Sequence, residues 1–329
     1  VNITKQPDGR LLSGQVTFQN ARRRKAEYLR NILNHMSYPD LKENWTFDNG
    51  SLPYKFQLRN DEVGFIKIWS NDKWSSGAPG KQQVHITFYS KFLHSTNNII
   101  GGLNLIESCV KNNIKNVIFS SSAAVYGTPQ YTPIDEDHPL LPINYYGYSK
   151  LIIEQNLKWF SKLKGIRYAS LRYFNAAGYD SDCKKFQVES DPQNLIPLVM
   201  EVALGIRDKL EVFGNDYATP DGTGIRDYIH VKDLAEGHLA SIDYIINKKK
   251  NLVINLGAGE GFSVLDILKK TELISNKKLK YVISERRDGD PDIVISSSKK
   301  AKQLIGWSPA RSDLDNIIKT SWAKYSYNM

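Results

Sequence analysis

Ser122, Tyr146 and Lys150 are the residues of this chain whose types and spacing could move a proton. Tyr146 and Lys150 stand four apart in a helical pattern, which puts phenol and ammonium on one face, about 5–6 Å apart at Cβ. A cation there favours the phenolate and lowers the tyrosine pKa from its usual value of about 10. Ser122 closes Asn116-Val117-Ile118-Phe119-Ser120-Ser121-Ser122, read as a short buried strand, and its hydroxyl can complete a relay suited to alcohol/ketone chemistry. Tyr-x-x-x-Lys alone is common on helix surfaces, so its weight comes from the surrounding stretches. Arg172 to Gly178 ends a strand, where open α/β sheets bind ligands. Phe213-Gly214-Asn215-Asp216 leads into Asp221 to Val231, and Arg286-Arg287-Asp288-Gly289-Asp290 forms a further loop. Loop arginines suit a bidentate grip on a diphosphate, and a carboxylate such as Asp290 suits sugar hydroxyls. The blander readings are specific: Ser120 and Ser121 as strand-end packing, Tyr173 as core, Arg286 as a solvated neighbour, Asp227 and His230 as loop ties.

The elements that must position these groups begin near Thr96. Helical patterns cover Ile99–Lys111, Tyr146 to about Lys164, Asn194–Leu204, Val231–Asn247, Val264–Leu273, Ser297–Ile305 and Leu314–Lys324. Strands fit at Arg167–Phe174, Leu210–Phe213, Leu252–Leu256 and Lys280–Ser284. Alternation of this kind predicts an α/β fold with a parallel sheet. Residues 1–95 read differently: a helical candidate at Phe18–Met36 with the basic patch Arg22-Arg23-Arg24-Lys25, then strand-like runs at Tyr54–Arg59, Val63–Ser70 and Val84–Ser90. That is a helix followed by a small antiparallel sheet. The predicted division is therefore 1–95, a basic α+β segment, and 96–329.

The composition narrows the class. At 329 residues the chain can bury a sizeable core, and it contains no run of about 18 apolar residues to span a membrane. No secretory pattern opens it; Val1 in place of Met fits a fragment or processed form. Two cysteines, Cys109 and Cys183, argue against a disulfide framework and fit a reducing cytoplasm. Neither has a metal-ligand neighbour, and His230 and His238 are too far apart for a one-turn site, so no metal is expected. Of the net charge of +9, about two-thirds lies in residues 1–95, with fourteen Lys/Arg against eight Asp/Glu. A solvated lysine-rich surface explains this better than nucleic-acid binding.

From about residue 97 onward the chain resembles the UDP-glucose 4-epimerases, a family of extended short-chain dehydrogenase/reductases. Carrying the resemblance are Ser120-Ser121-Ser122-Ala123-Ala124-Val125-Tyr126-Gly127, Tyr146-Gly147-Tyr148-Ser149-Lys150, and Leu171 to Gly178. Phe213 to Tyr217, Asp221 to Val231, Asn255 to Gly259 and Arg286 to Asp290 complete it, in order and at family spacing. The resemblance implies a Rossmann-like sheet with a smaller α/β substrate region, and galactose-pathway isomerase chemistry with NAD as hydride carrier through a 4-keto sugar. It implies that Tyr146 takes the proton of the sugar 4-hydroxyl, that Lys150 holds the nicotinamide ribose, and that Ser122 bridges substrate and tyrosine. Asn98 and Phe174 match cofactor-contacting positions. Asn175, Asn194, Leu195, Val212, Phe213, Arg226, Arg287 and Asp290 match positions around a UDP-sugar. A homodimer through the Ile99 and Tyr146 helices is implied too. Glu211 stands where the family usually carries a small residue, and no role is assigned to it.

One half of that site is not written in the chain. The family opens with a strand, a Gly-x-x-Gly-x-x-Gly turn and a helix, where backbone approaches the NAD pyrophosphate. In residues 1–95 the nearest match is Gly77-x-x-Gly80, whose third position is Gln83 and which precedes a strand; Gly80-Lys81 is no P-loop either. Asn255-Leu256-Gly257-Ala258-Gly259-Glu260-Gly261 looks like a dinucleotide turn but reads as a tight structural one. The sheet is thus expected to lack its first strands, leaving edges that residues 1–95 must cover. Two readings stay open: an NAD-dependent epimerase, or a truncated or chimeric remnant that at most binds UDP-sugar. A 4,6-dehydratase is disfavoured, because Ala123 and Ala124 follow Ser122 where dehydratases carry acids.

Overall fold

The computed structural model describes the backbone of residues 3–5, 11–13, 46–48, 56–60, 64–69, 83–88 and 97–98. It describes the whole of each residue from 99 to 327, apart from 181–187, 190 and 288. The helical candidate Phe18–Met36 with its basic patch, the Gly77/Gly80 turn, Cys183 and Asp288 lie outside the described residues. The chain divides into two compact units, one of residues 1–121, 144–170 and 242–252, the other of 122–143, 171–241 and 253–329.

The first unit opens with strands β1 (Ile3–Lys5), β2 (Leu11–Ser13), β3 (Thr46–Asp48), β4 (Phe56–Asn60), β5 (Gly64–Trp69) and β6 (Gln83–Phe88). Strands β4 to β6 form the small antiparallel sheet expected from the runs at Tyr54–Arg59, Val63–Ser70 and Val84–Ser90, and β3, which the sequence did not suggest, adds to it. Helix α1 (Asn97–Lys111) then leads to β7 (Asn116–Ser122). Strand β6 pairs with β7 in parallel, Gln83 opposite Asn116 and Ile86 opposite Phe119. A parallel pair needs a crossover of a dozen or more residues, and α1 supplies it. The sequence places a boundary at residue 95, yet the sheet runs across it, in the order β13-β8-β7-β6-β5-β4-β3. The open edge of β7 is thereby covered.

Helix α2 (Tyr145–Lys164) follows, and β8 (Arg167–Tyr173) comes after it. Asn144 caps α2, its side chain accepting from the Gly147 N–H at 2.8 Å, and Gly165 closes it in the left-handed region at φ 68°. Gly102 of α1 lets the two helices approach: a Cβ there would stand 2.8 Å from Ile153 Cδ1 of α2.

The second unit carries β9 (Asn175–Ala177), α3 (Leu195–Ala203), β10 (Leu210–Phe213), β11 (Ile225–Arg226), β12 (Tyr228–His230) and the start of α4 (Val231–Asn247). After β13 (Leu252–Leu256) come β14 (Phe262–Ser263), α5 (Val264–Ser275), β15 (Tyr281–Ser284), β16 (Ile293–Val294), α6 (Lys299–Ile305) and α7 (Leu314–Tyr327). Three small sheets position the ligand-side loops: β10 with β15 in parallel, β9 with β12 in parallel, and β14-β11-β16. Their support is a core in which Val199, Met200, Ile267, Ile317 and Ile318 of α3, α5 and α7 are fully buried. Each such side chain contributes about 1.5–3 kcal/mol of burial. Ser263 and Asp266 form a reciprocal capping box that starts α5.

Candidate active site

The residues predicted to move a proton stand on β7 and α2. Capping by Asn144 fixes the first turn of α2, which carries Tyr146, and the next turn carries Lys150. Lys150 is 6 % exposed. Its Nζ donates to the Ser120 carbonyl at 2.8 Å and lies 5.5 Å from the Tyr146 ring centre and 5.1 Å from that of Phe119. Burial lowers the Lys150 pKa to about 8, and the Glu154 carboxylate opposes that fall. Glu154 stands one turn further along α2 and accepts from Ser121 Oγ at 2.5 Å. Ser120 and Ser121 thus do more than fill a strand end: one offers its carbonyl to the lysine, the other its hydroxyl to the carboxylate beside it. Glu154 carried a signal in the sequence, continuing the spacing of Tyr146 and Lys150 by four. Asn98 falls in the first turn of α1.

Ser122 ends β7 in extended backbone and caps the short 3-10 turn Ala123–Val125, its Oγ accepting from the Ala124 N–H at 3.1 Å. That bond orients the oxygen and leaves the Ser122 O–H free to donate. Behind the turn, the fully buried Tyr126 donates to Asn255 Oδ1 at 2.6 Å and accepts from Arg172 Nη1 at 3.1 Å. Asn255 in turn donates its N–H to Glu136 at 2.6 Å and its Nδ2 to the Ile134 carbonyl at 3.0 Å. Burial, more than any neighbour, pushes the Tyr126 pKa up to about 12. Sequence reasoning gave none of these four a role, since their partners lie 46 to 129 residues away along the chain.

Arg226, Arg287, Asp290, Phe213 and Asn175, expected around a UDP-sugar, belong to the second unit. Arg226 Nη2 meets Asp290 Oδ1 at 2.7 Å, and Tyr217 donates to Asp290 Oδ2 at 2.7 Å. The Arg287 guanidinium lies 4.0 Å over the Phe213 ring, and that of Arg286 lies 3.9 Å over the Tyr217 ring. Arg286 also pairs with Asp292 at 2.8 Å, so it is not the solvated neighbour expected. Asn175 is tied to the Asp227 carbonyl by its N–H at 3.1 Å and its Nδ2 at 2.9 Å. Asp227 is fully buried and its carboxylate takes the N–H groups of Ala258, Gly259 and Ser296, with the Ser296 hydroxyl. The Asn255–Gly261 turn is therefore a structural one held by Asp227, and Asp227 is the loop tie expected. Thr128 to Thr132, Ala218, and Arg286 to Ile293 without residue 288 line a cleft of about 660 Å³ that includes Arg287 and Asp290.

Among the described residues, the remaining predicted ones make no side-chain bond to this cluster. Phe174 is buried directly after β8. Asn194 caps α3 without a side-chain bond and Leu195 is its first residue. Val212 is 1 % exposed and packs into the core, so only its backbone can meet a ligand.

Comparison with known proteins decides the family. The NAD dependent epimerase/dehydratase family model matches residues 77–257. This chain belongs to that family. The match begins within the stretch that the sequence pattern sets apart. UDP-glucose 4-epimerase of Streptococcus mutans is 42 % identical over 251 residues, 74 % of this chain and 75 % of that one. The structure of UDP-glucose 4-epimerase from Brucella ovis in complex with NAD superposes with a TM-score of 0.68 at 40 % identity, covering 72 % of each chain. That from Bifidobacterium longum, in complex with NAD+ and UDP, gives 0.66 at 40 % identity over 70 % of each. The family members are Rossmann-like α/β proteins, as the alternation of elements predicts. Among the described residues no helix is long and apolar enough to cross a membrane.

Proposed function

We propose that this chain is an NAD-dependent UDP-glucose 4-epimerase that interconverts UDP-glucose and UDP-galactose in the cytoplasm. The observation that carries the reading is the buried Lys150 ammonium, 2.8 Å from the Ser120 carbonyl and set under the Tyr146 ring. An ammonium has three N–H donors, and burial makes it costly to leave any of them without an acceptor. The ribose diol of a nicotinamide nucleotide suits those donors, and the family resemblance assigns Ser122, Tyr146 and Phe174 to the nicotinamide end as well. When bound, NAD supplies the hydride acceptor at the sugar C4. Tyr146, with the Lys150 ammonium 5.5 Å from its ring centre, accepts the proton of the 4-hydroxyl and returns it. Ser122 donates to the sugar oxygen or the phenolate through its free O–H. Arg226 and Arg287 bind the diphosphate, Phe213 and the β10 backbone at Val212 receive the base, and Asn175, Asn194, Leu195 and Asp290 complete the UDP-sugar contacts.

A second reading has its own observation: the sequence holds no Gly-x-x-Gly-x-x-Gly turn for the pyrophosphate. On that reading the chain is a remnant that binds UDP-sugar without turnover. Heat release of nucleotide from the purified chain separates the two. The epimerase reading predicts NAD in the supernatant; no NAD, and no conversion of UDP-galactose when NAD is added, would leave the remnant.

Homodimerisation through α1 and α2 belongs to the same proposal. Ile100, Tyr148, Trp159 and Leu163 on these helices are 45, 46, 59 and 70 % exposed. An apolar stripe of this kind suits a second copy of the same helix pair. Light scattering should give twice the chain mass, and Trp159→Glu should return it to one; a monomeric wild type rules the dimer out.

A further inference from the structure

Tyr217 is 4 % exposed and has no part in the assignments above. Its main chain is locked in the turn that it opens, with its N–H donating to the Gly222 carbonyl at 3.0 Å. Its ring packs on Gly214, which is held at φ 83°; a Cβ there would stand 2.6 Å from the ring and 3.0 Å from Arg286 Cβ. The Arg286 guanidinium lies 3.9 Å over the ring, and its Nη2 also donates to the Asp290 carbonyl at 2.7 Å. The Tyr217 hydroxyl donates to Asp290 Oδ2, while Oδ1 receives Arg226 Nη2, both at 2.7 Å.

The consequence concerns the Arg226 fork. A guanidinium has five N–H donors and tends to pair with a carboxylate through two parallel bonds. Here Nη1 serves the carbonyls of Ile225 at 2.8 Å and Asp292 at 3.3 Å, and Nη2 gives one bond to Asp290. With the Tyr217 hydroxyl on Oδ2, Asp290 takes one bond from Arg226 instead of the parallel pair. Among the described residues the Arg226 Nε–H and the other Nη2–H meet no acceptor, which leaves them for a ligand. We propose that Tyr217 and Arg286 are a positioning pair: they hold Asp290 to a single bond on Arg226, so that the Arg226 fork stays open to a diphosphate. The proposal rests on reading this arm as the UDP side of the site.

Calorimetric titration of the full chain with UDP and with uridine tests it without requiring turnover. Tyr217→Phe keeps the ring on Arg286 and removes only the hydroxyl. The expected result is UDP affinity weakened about tenfold, the scale of one hydrogen bond to a charged group, with uridine affinity unchanged. Arg286→Lys keeps the charge but not the planar stack, and should give the same selective loss. UDP binding by Tyr217→Phe equal to wild type overturns the proposal. So does an equal loss for UDP and uridine with a lowered melting temperature, which marks a purely structural role. Wild-type chain that binds neither ligand instead rejects the UDP-side reading, and the pair with it.

Discussion

Burial of the Lys150 ammonium ties both stability and chemistry to pH. Its pKa falls from 10.5 to about 8, so between these values the unfolded chain binds more protons than the folded one. Stability therefore rises with pH through this window, because the folded protein sheds a charge that is costly to bury. From pH 8 to 9.5 the gain reaches about 2 kcal/mol. Urea denaturation at these pH values should show that slope in wild type and lose it in Lys150→Met. Activity should run the other way, falling above about pH 8 as the cation that favours the Tyr146 phenolate is lost. Tyr126 predicts a different effect. Tyr126→Phe leaves Arg172 and Asn255 short of a buried partner, which costs about 1–3 kcal/mol in denaturant unfolding. An unchanged midpoint would show that Tyr126 does not anchor the Ser122 turn.

At the level of elements, the chain shows which signals survive in sequence. Helix α2 was legible because its cues are local: Asn144 at the cap, Gly165 at the end, and Tyr146 and Lys150 one turn apart. Val231–Asn247, Leu210–Phe213 and Leu252–Leu256 were legible for the same reason. Strands β9, β11, β12, β14 and β16 are two or three residues long, too short to establish an alternation. They form only because distant segments meet, as β11 does with β14 and β16. Tyr217 and Asn255 stand in the family motifs without a role, and Glu136 is not singled out, since each matters through partners far along the chain. The motifs did identify Arg226, Arg287 and Asp290, but not the single bond that joins Asp290 to Arg226. Helix packing carries its own expectation. Ile317 of α7 is fully buried in the core that also holds Leu210 and Val212 of β10. Ile317→Ala should cost about 2–5 kcal/mol in urea denaturation, and a loss below 1 kcal/mol would show that this core yields easily.

For the molecule as a whole, the parallel pairing of β6 with β7 connects two stretches of different sequence character. Strand β6 seals the edge of β7, the strand that ends at Ser122 and bears the Lys150 anchor at Ser120. The residues proposed for proton transfer and for the diphosphate are both present, in a sequence that holds no Gly-x-x-Gly-x-x-Gly run. The central claim is that these groups still perform epimerisation, and turnover tests it most directly. Purified chain with NAD is incubated with UDP-galactose, and UDP-glucose is followed by chromatography. Wild type should convert the substrate, and Tyr146→Phe, which removes the general base, should be slower by about 10²–10⁴-fold. No UDP-glucose from wild type, or equal rates in the two proteins, would contradict the account.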